Sequence, residues 1–257
     1  MGAVNFSIDL SLVEVLRRLL PLRVFVETGT FEGDSVALSL SHFDELHTIE
    51  LADRYYAAAL ERFRSDASVT LHHGDSPRVL DSLKPHLERA SVLYWLDAHW
   101  CSADDTAGAY TQSPLLEELK AIGALNAESV LMIDDARLYL CTPAQPGELG
   151  NWPRFHEVVQ GLCALSAEHE AMVVNDVILF YPKAIVDDVS EYARAHSIDW
   201  LASLRELDEL KLEREMLYRT AAERLAAIEE LDQLLAAERR AHASDLGAGR
   251  PAEPEPT

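Results

Sequence analysis

Short apolar runs alternate with polar or amphipathic segments along the first 135 residues, and this order predicts a sheet flanked by helices. Each run is rich in β-type residues and is followed by helix-like or loop sequence. The first run, residues 24–26, is short and apolar throughout, which is typical of a parallel strand buried on both faces. We therefore predict an α/β fold with a doubly wound, mostly parallel sheet. The runs are residues 24–26, 46–50, 69–73, 92–97 and 130–135.

Amphipathic patterns on either side of these runs complete the predicted domain. Residues 8–20 place apolar side chains at helical spacing, which predicts a helix that covers the sheet or, alternatively, one that lies on a membrane surface. Pro21 ends that helix. Residues 152–169 predict a further helix, and residues 171–181 predict a hairpin that turns at Asn175 and Asp176.

Residues 187–243 are rich in charge and carry leucines on a drifting helical stripe, which Lys211, Arg214 and Arg224 interrupt. This pattern predicts an amphipathic helix or an imperfect coiled coil. The predicted helix serves either as an oligomerisation arm or as a helix that folds back on its own domain. We predict a main domain over residues 1–186, a helical extension over 187–243 and a disordered tail over 244–257, which is rich in Pro, Gly and Glu.

The first apolar run leads into Glu27 and then into two glycines, Gly29 and Gly33. Gly29 permits a tight turn, and Gly33 lets the helix predicted over residues 35–40 pack close to the strand, so that its backbone amides face a ligand. The sequence lacks the middle glycine of a dinucleotide fingerprint and the Gly-Lys-Ser/Thr of a phosphate loop. The loop indicates a nucleotide-type ligand, although an ordinary strand–turn–helix has the same pattern.

Acidic residues end three of the later runs. Glu50 stands where a ribose-binding carboxylate lies in open α/β nucleotide sites, although a solvated strand end has the same sequence. If neighbouring strands end in Asp97 and in Asp134–Asp135, their carboxylates converge, and a divalent cation relieves the repulsion. Oxygen ligands favour Mg²⁺, with Mn²⁺ as an alternative. Two of these residues are alternatively helix N-caps.

Composition limits the partners and the compartment. The 257 residues include 44 acidic and 22 basic side chains, and the net charge is −22. Such a chain repels nucleic acid and anionic membranes, so we expect neither as a partner. The three cysteines form no paired framework, and no apolar run reaches the roughly 20 residues that span a bilayer. We expect a cytoplasmic protein with reduced thiols.

The motifs together resemble those of the class I methyltransferases, which bind S-adenosylmethionine (SAM), and within them the metal-dependent O-methyltransferases of the catechol and macrolide-sugar type. The resemblance covers about residues 20–182. Its longer patterns, Val-Glu-Thr-Gly-Thr, Trp-Leu-Asp-Ala-His and Ile-Asp-Asp-Ala-Arg, are similar to sugar O-methyltransferases, including the mycobacterial methylmannose polysaccharide type. It implies a seven-stranded sheet with a terminal antiparallel hairpin.

The resemblance also implies a set of site residues. They are Glu27, Thr28, Gly29, Thr30, Gly33, Ser35 and Asp97 for SAM, Glu50 for its ribose, Asp75 and Ser76 for its adenine, and Asp97, Asp134 and Asp135 for Mg²⁺. The implied reaction is an in-line transfer of the SAM methyl group to a hydroxyl of a small molecule or saccharide. The lysine base of the catechol enzymes has no counterpart here, and His99 is the nearest titratable side chain to Asp97.

The roles of His99 and of the acceptor residues stay open. His99 is a base, a metal ligand, an acceptor contact or a buried hydrogen-bonding histidine. The polar loop 101–113 predicts an acceptor lid, with Trp100, Tyr110 and Tyr139 as platforms for a sugar ring. Asp104 either binds acceptor hydroxyls or is solvated, and Arg137 either contacts acceptor or pairs with a carboxylate. Two other functions compete: a non-catalytic SAM-binding scaffold that acts through the helical arm, and a metal-dependent hydrolase.

Overall fold

The protein is described here by a computed structural model, which covers residues 7–98, 113–140 and 152–248. These residues form one seven-stranded sheet with helices on both faces and a long C-terminal helix. The strands are β1 (Val24–Thr28), β2 (Glu45–Glu50), β3 (Val69–His73), β4 (Val92–Leu96), β5 (Val130–Ile133), β6 (His169–Val174) and β7 (Val177–Pro182). The helices are α1 (Leu10–Leu19), α2 (Asp34–Ser39), α3 (Asp53–Arg62), α4 (Ser76–Leu87), α5 (Leu115–Ile122), α6 (Ala136–Leu140), α7 (Phe155–Leu165), α8 (Val186–His196) and α9 (Trp200–Ala248).

The strand order across the sheet is β3-β2-β1-β4-β5-β7-β6. Strands β1 to β5 pair in parallel, and β7 runs antiparallel to both β5 and β6. The chain moves outward from β1 to β3 and then returns to start the other half at β4, so the topological switch point lies between β1 and β4. The doubly wound, mostly parallel sheet with its terminal hairpin is therefore confirmed.

The two central strands explain why the sequence shows continuous apolar runs. Every residue of β1 and of β4 is buried, as expected for strands that helices cover on both sides. Because side chains alternate along a strand, Val24 and Val26 contribute to the hydrophobic core on one face, whereas Phe25 and Trp95 contribute to the core on the other.

Helix α1 covers one face of the sheet. Asp9 caps its first turn by accepting the backbone N–H groups of Ser11 and Leu12 at 3.0 and 3.4 Å. The apolar stripe of the helix, which includes Leu12 and Leu16, is buried in the same core as Phe25. The prediction of a sheet-covering helix is confirmed.

The hairpin of β6 and β7 turns at Asn175 and Asp176, as predicted. Val174 pairs with Val177, and Asn175 adopts a left-handed φ of 55°, which asparagine tolerates in a tight turn. Since β7 is antiparallel to both neighbours, β6 runs parallel to β5. The turn therefore lies at the edge of the sheet where β4 and β5 end.

The chain divides into two units, Met1–Ser197 and Ile198–Thr257. Helix α8 belongs to the first unit, although the sequence pattern assigned residues from 187 onward to the extension. Val189 and Tyr192 of α8 are buried, and the Tyr192 hydroxyl donates to Asp9 at 2.6 Å. In the second unit, all side chains of α9 from Trp200 to residue 243 are exposed. Among the described residues, no helix is both long and apolar enough to cross a membrane.

Candidate functional site

The loop after β1 makes its closest approach to the end of β4 at Gly29. Its φ is +84°, and a Cβ placed there would lie 2.8 Å from the backbone oxygen of Asp97. Gly33 has a φ of +80°, and a Cβ there would lie 2.8 Å from the ring of Phe63. Both positions require glycine, for conformation and for space. The loop is thus held tightly against the switch point between β1 and β4, where open sheets bind ligands.

Glu27 lies beneath this loop as a buried carboxyl group that is 1% exposed. The Thr48 hydroxyl donates to Glu27 Oε2 at 2.6 Å, and Thr48 Oγ1 lies 2.5 Å from Thr30 Oγ1. Burial, with a contribution from the charges of Asp97 and Glu50, raises the pKa of Glu27 to about 8, and the Thr48 and Ser35 hydroxyls oppose this rise. Ser35 Oγ also lies 2.7 Å from Ser7 Oγ.

Glu50 ends β2 and is buried, as a ligand-orienting carboxylate at this edge would be. Its Oε2 accepts the backbone N–H of Phe31 at 2.8 Å, and its Oε1 accepts that of Ala52 at 2.8 Å. Phe31 has a left-handed φ of 47° within the glycine loop. Glu50 therefore fixes the loop that follows β1. The alternative of a solvated strand end would place its side chain in solvent, whereas the side chain is buried.

The turn after β3 contains a buried pair that sequence patterns do not reveal. Ser76 begins α4, and its hydroxyl donates to Glu118 Oε1 at 2.5 Å. Both residues are buried, and Glu118 comes from α5, 42 positions along the chain. Asp75 lies in an ion pair with Arg78 at 3.7 Å. Thr28, the last residue of β1, is completely buried.

Strands β4 and β5 bring their terminal acids to one edge of the sheet. The Asp97 amide donates to the Thr28 carbonyl oxygen at 3.1 Å, and the Asp134 amide donates to the Leu96 carbonyl oxygen at 3.1 Å. Burial and the charges of Asp97 and Asp135 raise the pKa of Asp134 to about 7. Asp134 Oδ1 also accepts the amide of the next residue, Asp135, at 2.8 Å, which is not the bond to N2 or N3 that a helix N-cap makes.

Arg137 lies against this acidic edge and bridges it to the hairpin. Its Nη1 donates to Asp135 Oδ1 at 2.6 Å and also to Asp176 Oδ2. The backbone amide of Arg137 donates to Asp176 Oδ1 at 2.9 Å. Asp135 holds a left-handed φ of 56°. Of the two roles predicted for Arg137, acceptor contact and pairing with a carboxylate, this arrangement matches the second.

Tyr139 lies in the core and is only 6% exposed. Its hydroxyl is 3.1 Å from Ser113 Oγ, and its ring packs edge-on against Trp152 at 5.7 Å between centroids. Burial, together with the charges of Glu118, Asp97 and Asp135, raises the pKa of Tyr139. A ring this deeply buried offers no open face to a sugar, in contrast to its predicted use as a platform.

A cavity of about 160 Å³ opens beside Tyr139, between α6 and the start of α7. Its lining combines aromatic, aliphatic and cationic side chains: Leu138, Tyr139, Leu140, Trp152, Pro153, Arg154 and Phe155.

Four predicted site residues, His99, Trp100, Asp104 and Tyr110, lie outside the described residues. The same holds for Cys101, Cys141 and residues 101–112 of the predicted lid.

No protein-family profile and no curated protein matches this chain. Solved structures match its fold. One is the SAM-bound amino pentose methyltransferase CalS10 of Micromonospora echinaspora, with 13% identity, 68% of this chain and 89% of that chain covered, and a TM-score of 0.46. Another is the sugar N-methyltransferase KedS8 of Streptoalloteichus, with 13% identity, coverage of 66% and 84%, and a TM-score of 0.43. An rRNA methylase of Streptococcus thermophilus has 14% identity, coverage of 66% and 93%, and a TM-score of 0.42. At these values the likeness concerns the fold, and the site must be interpreted from this chain's own residues.

Proposed function

We propose that the protein is a SAM-dependent O-methyltransferase that uses Mg²⁺ and acts on a hydroxyl of a saccharide or other small molecule. The observation that carries this proposal is the meeting of two features at one edge of the sheet. The Gly29 loop packs on the backbone of Asp97, and Asp97 in turn raises the pKa values of both Glu27 and Asp134. A nucleotide-type cradle and an acidic cluster therefore share a residue.

The cradle fits SAM by its hydrogen-bonding capacity and its shape. Each oxygen of Glu50 accepts one backbone N–H, and a carboxylate offers about four acceptor positions, so Glu50 retains capacity for two ribose hydroxyls. Gly29 lets the backbone approach without a side chain. The buried acids Glu27 and Glu50 favour a cationic ligand such as a sulfonium.

The acidic cluster fits Mg²⁺ by its donor chemistry. Carboxylate oxygens are the ligands that Mg²⁺ prefers, and Asp97, Asp134 and Asp135 supply them. Burial first, and then the charges of Asp97 and Asp135, raise the pKa of Asp134 to about 7, so the ionised form is disfavoured in this cluster. A divalent cation favours the ionised form. Arg137 already compensates Asp135 in part, and Asp176 shares its charge.

In the reaction that we propose, bound SAM supplies an electrophilic methyl group and bound Mg²⁺ supplies Lewis acidity that lowers the pKa of an acceptor hydroxyl. The chain's own residues position these partners. Glu50 orients the ribose, the Gly29 loop holds the donor against the switch point, and Asp97 joins the donor side to the acceptor side. We propose His99 as the group that accepts the hydroxyl proton, because it follows Asp97 by two residues.

The cavity beside α6 is a suitable place for part of the acceptor. Trp152 packs against Tyr139, and Tyr139 is close enough to Asp97 and Asp135 for their charges to raise its pKa. Phe155 lines this cavity and is 38% exposed. Aromatic faces beside a charged edge suit a sugar ring. We therefore propose Phe155 as an acceptor contact in addition to Trp100, Asp104, Tyr110 and Arg137.

We further propose that α9 joins two copies of the chain. A helix of 49 residues extends about 74 Å at 1.5 Å per residue. Six of its exposed aliphatic residues recur at a- and d-type spacing, with Arg214 and Arg224 as interruptions, whereas other exposed leucines, such as Leu212 and Leu225, lie off this stripe. A long isolated helix gains little stability alone, whereas pairing of this stripe buries apolar surface. The stripe comprises Leu207, Leu210, Leu217, Ile228, Leu231 and Leu235, all at least 46% exposed.

The decisive experiment is a calorimetric titration of the full chain with SAM, with and without Mg²⁺, after treatment with a chelator. We expect SAM to bind the wild type. We expect Asp134→Asn/Asp135→Asn to lose Mg²⁺ uptake, whereas the control Asp187→Asn/Asp188→Asn, an exposed acidic pair on α8, retains it. Mg²⁺-stimulated transfer of labelled methyl to saccharides would distinguish the enzyme from a non-catalytic SAM-binding scaffold. Absence of SAM binding would overturn the proposal and favour the hydrolase.

A further inference from the structure

A cluster of two histidines and a glutamate lies away from the methyltransferase-type site. Glu45 and His47 are two residues apart on β2, so their side chains lie on the same face of the sheet. His86, in the last turn of α4, approaches them from the helix layer. His47 Nε2 lies 2.8 Å from Glu45 Oε1, and His86 Nε2 lies 3.0 and 3.2 Å from Glu45 Oε1 and Oε2.

We propose that Glu45, His47 and His86 bind a Zn²⁺ ion. One ligand atom from each of the three side chains lies within 4.8 Å of the other two. Two imidazole nitrogens and one carboxylate form a donor set that zinc accepts and that Mg²⁺ does not prefer. This cluster is therefore chemically distinct from the all-oxygen group of Asp97, Asp134 and Asp135.

The two histidine–glutamate separations are close to those of zinc ligands, and the ligand atoms of His47 and His86 lie within 4.8 Å of each other. With zinc bonds of roughly 2.0–2.2 Å, ligand atoms at the corners of a tetrahedron lie about 3.3 Å apart. The N···O distances of 2.8 to 3.2 Å need to open by a few tenths of an ångström. The side chains of Glu45 and His86 are 39% and 54% exposed, which provides access for the ion and for a water as fourth ligand.

His72 supports the cluster from the neighbouring strand. Its Nε2 lies 3.0 Å from His47 Nδ1, and the His47 side chain is only 7% exposed. When neutral His47 donates from Nε2 to Glu45, its Nδ1 accepts from His72. When zinc takes the Nε2 lone pair, the His47 proton lies on Nδ1 and is donated to His72, so both arrangements satisfy the buried ring. A histidine ligand whose second nitrogen is held in this way is typical of metal sites.

The location assigns the ion a role outside methyl transfer. Glu45 begins β2 and Glu50 ends it, so the two lie about 16 Å apart along the strand. A zinc ion at Glu45 joins the start of β2 to the end of α4, whose first residue, Ser76, lies at the predicted adenine turn. The ion would therefore stabilise the position of α4 and would not contact the reacting groups.

Binding of Zn²⁺ and Co²⁺ to the chelator-treated full chain tests this proposal, with excess Mg²⁺ present to occupy oxygen-only sites. We expect one ion per chain and the intense visible absorption of tetrahedral Co²⁺. His86→Ala and Glu45→Gln should each weaken binding at least 100-fold. His72→Gln should weaken it 10- to 100-fold, as changes in residues that orient a ligand do.

His73→Ala is the matched control, because His73 is the next residue on β3 and pairs with Asp53 instead. It should bind Zn²⁺ and Co²⁺ as the wild type does, and so should Asp134→Asn/Asp135→Asn. Thermal melts without metal verify that His86→Ala folds, and added Zn²⁺ should raise the melting temperature of the wild type but not that of His86→Ala. The proposal is overturned if the wild type binds no Zn²⁺, if His86→Ala binds it equally well, or if bound Co²⁺ has the weak spectrum of an octahedral ion.

Discussion

The Thr48 hydroxyl donates a 2.6 Å hydrogen bond to Glu27 Oε2 between the adjacent strands β1 and β2. This bond supports a carboxyl group that lies next to two other acids, Asp97 and Glu50. Burial dominates over the hydrogen bond, and the pKa of Glu27 therefore rises to about 8. With a pKa of about 8, Glu27 holds its proton near neutral pH.

Glu27 should make the unliganded protein less stable as pH rises. Between its ordinary pKa of 4.5 and about 8, the folded chain holds a proton at Glu27 that the unfolded chain has lost, so the free energy of unfolding falls with increasing pH. We suggest urea unfolding of the wild type and of Glu27→Gln at pH 5, 6.5 and 8. As pH rises, the free energy of unfolding of the wild type should fall relative to that of the variant. The exposed control Glu14→Gln should follow the wild type, and an unchanged difference across this range would contradict the assignment.

Gly29→Ala should abolish SAM binding. A left-handed conformation costs a side chain about 1–2 kcal/mol, and the added Cβ would also lie 2.8 Å from the Asp97 backbone oxygen. The β1 loop must then move away from β4. Calorimetry with SAM checks this prediction. Gly161→Ala is the control, because the Cβ there meets the flexible end of Leu119; equal SAM affinity of the Gly29 variant and the control would show that the loop is not the cradle.

Ser76→Ala should lower stability by about 1–3 kcal/mol, because Glu118 loses a donor inside the protein. A double-mutant cycle with Glu118→Leu measures the interaction, and we expect a coupling of about 0.5–3 kcal/mol. Ser82→Ala is the control, since its exposed hydroxyl bonds only to the Val79 carbonyl oxygen in the described structure. If Ser76→Ala reduces SAM affinity at unchanged stability, the hydroxyl contacts the ligand instead.

Arg137→Met should strengthen Mg²⁺ binding and weaken the metal-free fold. The guanidinium compensates Asp135 and Asp176, both of which are buried. Removal of the guanidinium leaves the two buried carboxylates with less compensation and lowers the stability of the metal-free protein by about 1–3 kcal/mol. Mg²⁺ binding becomes stronger because the ion no longer shares Asp135 with a cationic side chain. Melting temperatures with and without Mg²⁺ test both effects. Arg154→Met should change neither, because it pairs with Glu157 at the surface. Weaker Mg²⁺ binding would show that Arg137 positions Asp135 for the ion.

Leu210→Glu/Leu217→Glu should convert the protein from a dimer to a monomer in sedimentation equilibrium. These two leucines lie at the same heptad position on the proposed contact stripe, and buried glutamates would repel across it. Leu212→Glu, on the opposite side of the helix, should remain dimeric. A wild type that sediments as a monomer would contradict self-association through α9.

The sheet could be predicted from sequence because buried parallel strands leave an unmistakable pattern. Residues 92–97 were predicted as a strand and form β4 over Val92–Leu96, in which every residue is buried. The order of strands, and hence the convergence of Asp97 with Asp134, required only that consecutive units follow doubly wound topology.

The long-range polar contacts around the site could not be predicted in the same way. Glu118 and Asp176 meet Ser76 and Arg137 from 42 and 39 positions away, and neither shows a local motif. Tyr139 was predicted as a platform for a sugar ring, and the local sequence did not show that the folded chain buries it to 6% exposure, with Trp152 against its ring. The Glu-x-His spacing of Glu45 and His47 is a local signal, but it points to a ligand pair only once His86 is known to lie opposite.

The two-residue turn between β6 and β7 makes the chain sensitive to a shift in strand register and to new chain ends at this position. The side chain of Asp176 accepts a hydrogen bond from the backbone N–H of Arg137, and its backbone carbonyl oxygen accepts one from the N–H of Ala136 at 2.7 Å. A register slip of one residue between β6 and β7 would turn every side chain to the opposite face and would withdraw Asp176 from the start of α6. New chain ends introduced between residues 175 and 176 would therefore damage the acidic edge while leaving the strands able to pair. Circular permutation should succeed at other surface loops sooner than at this turn.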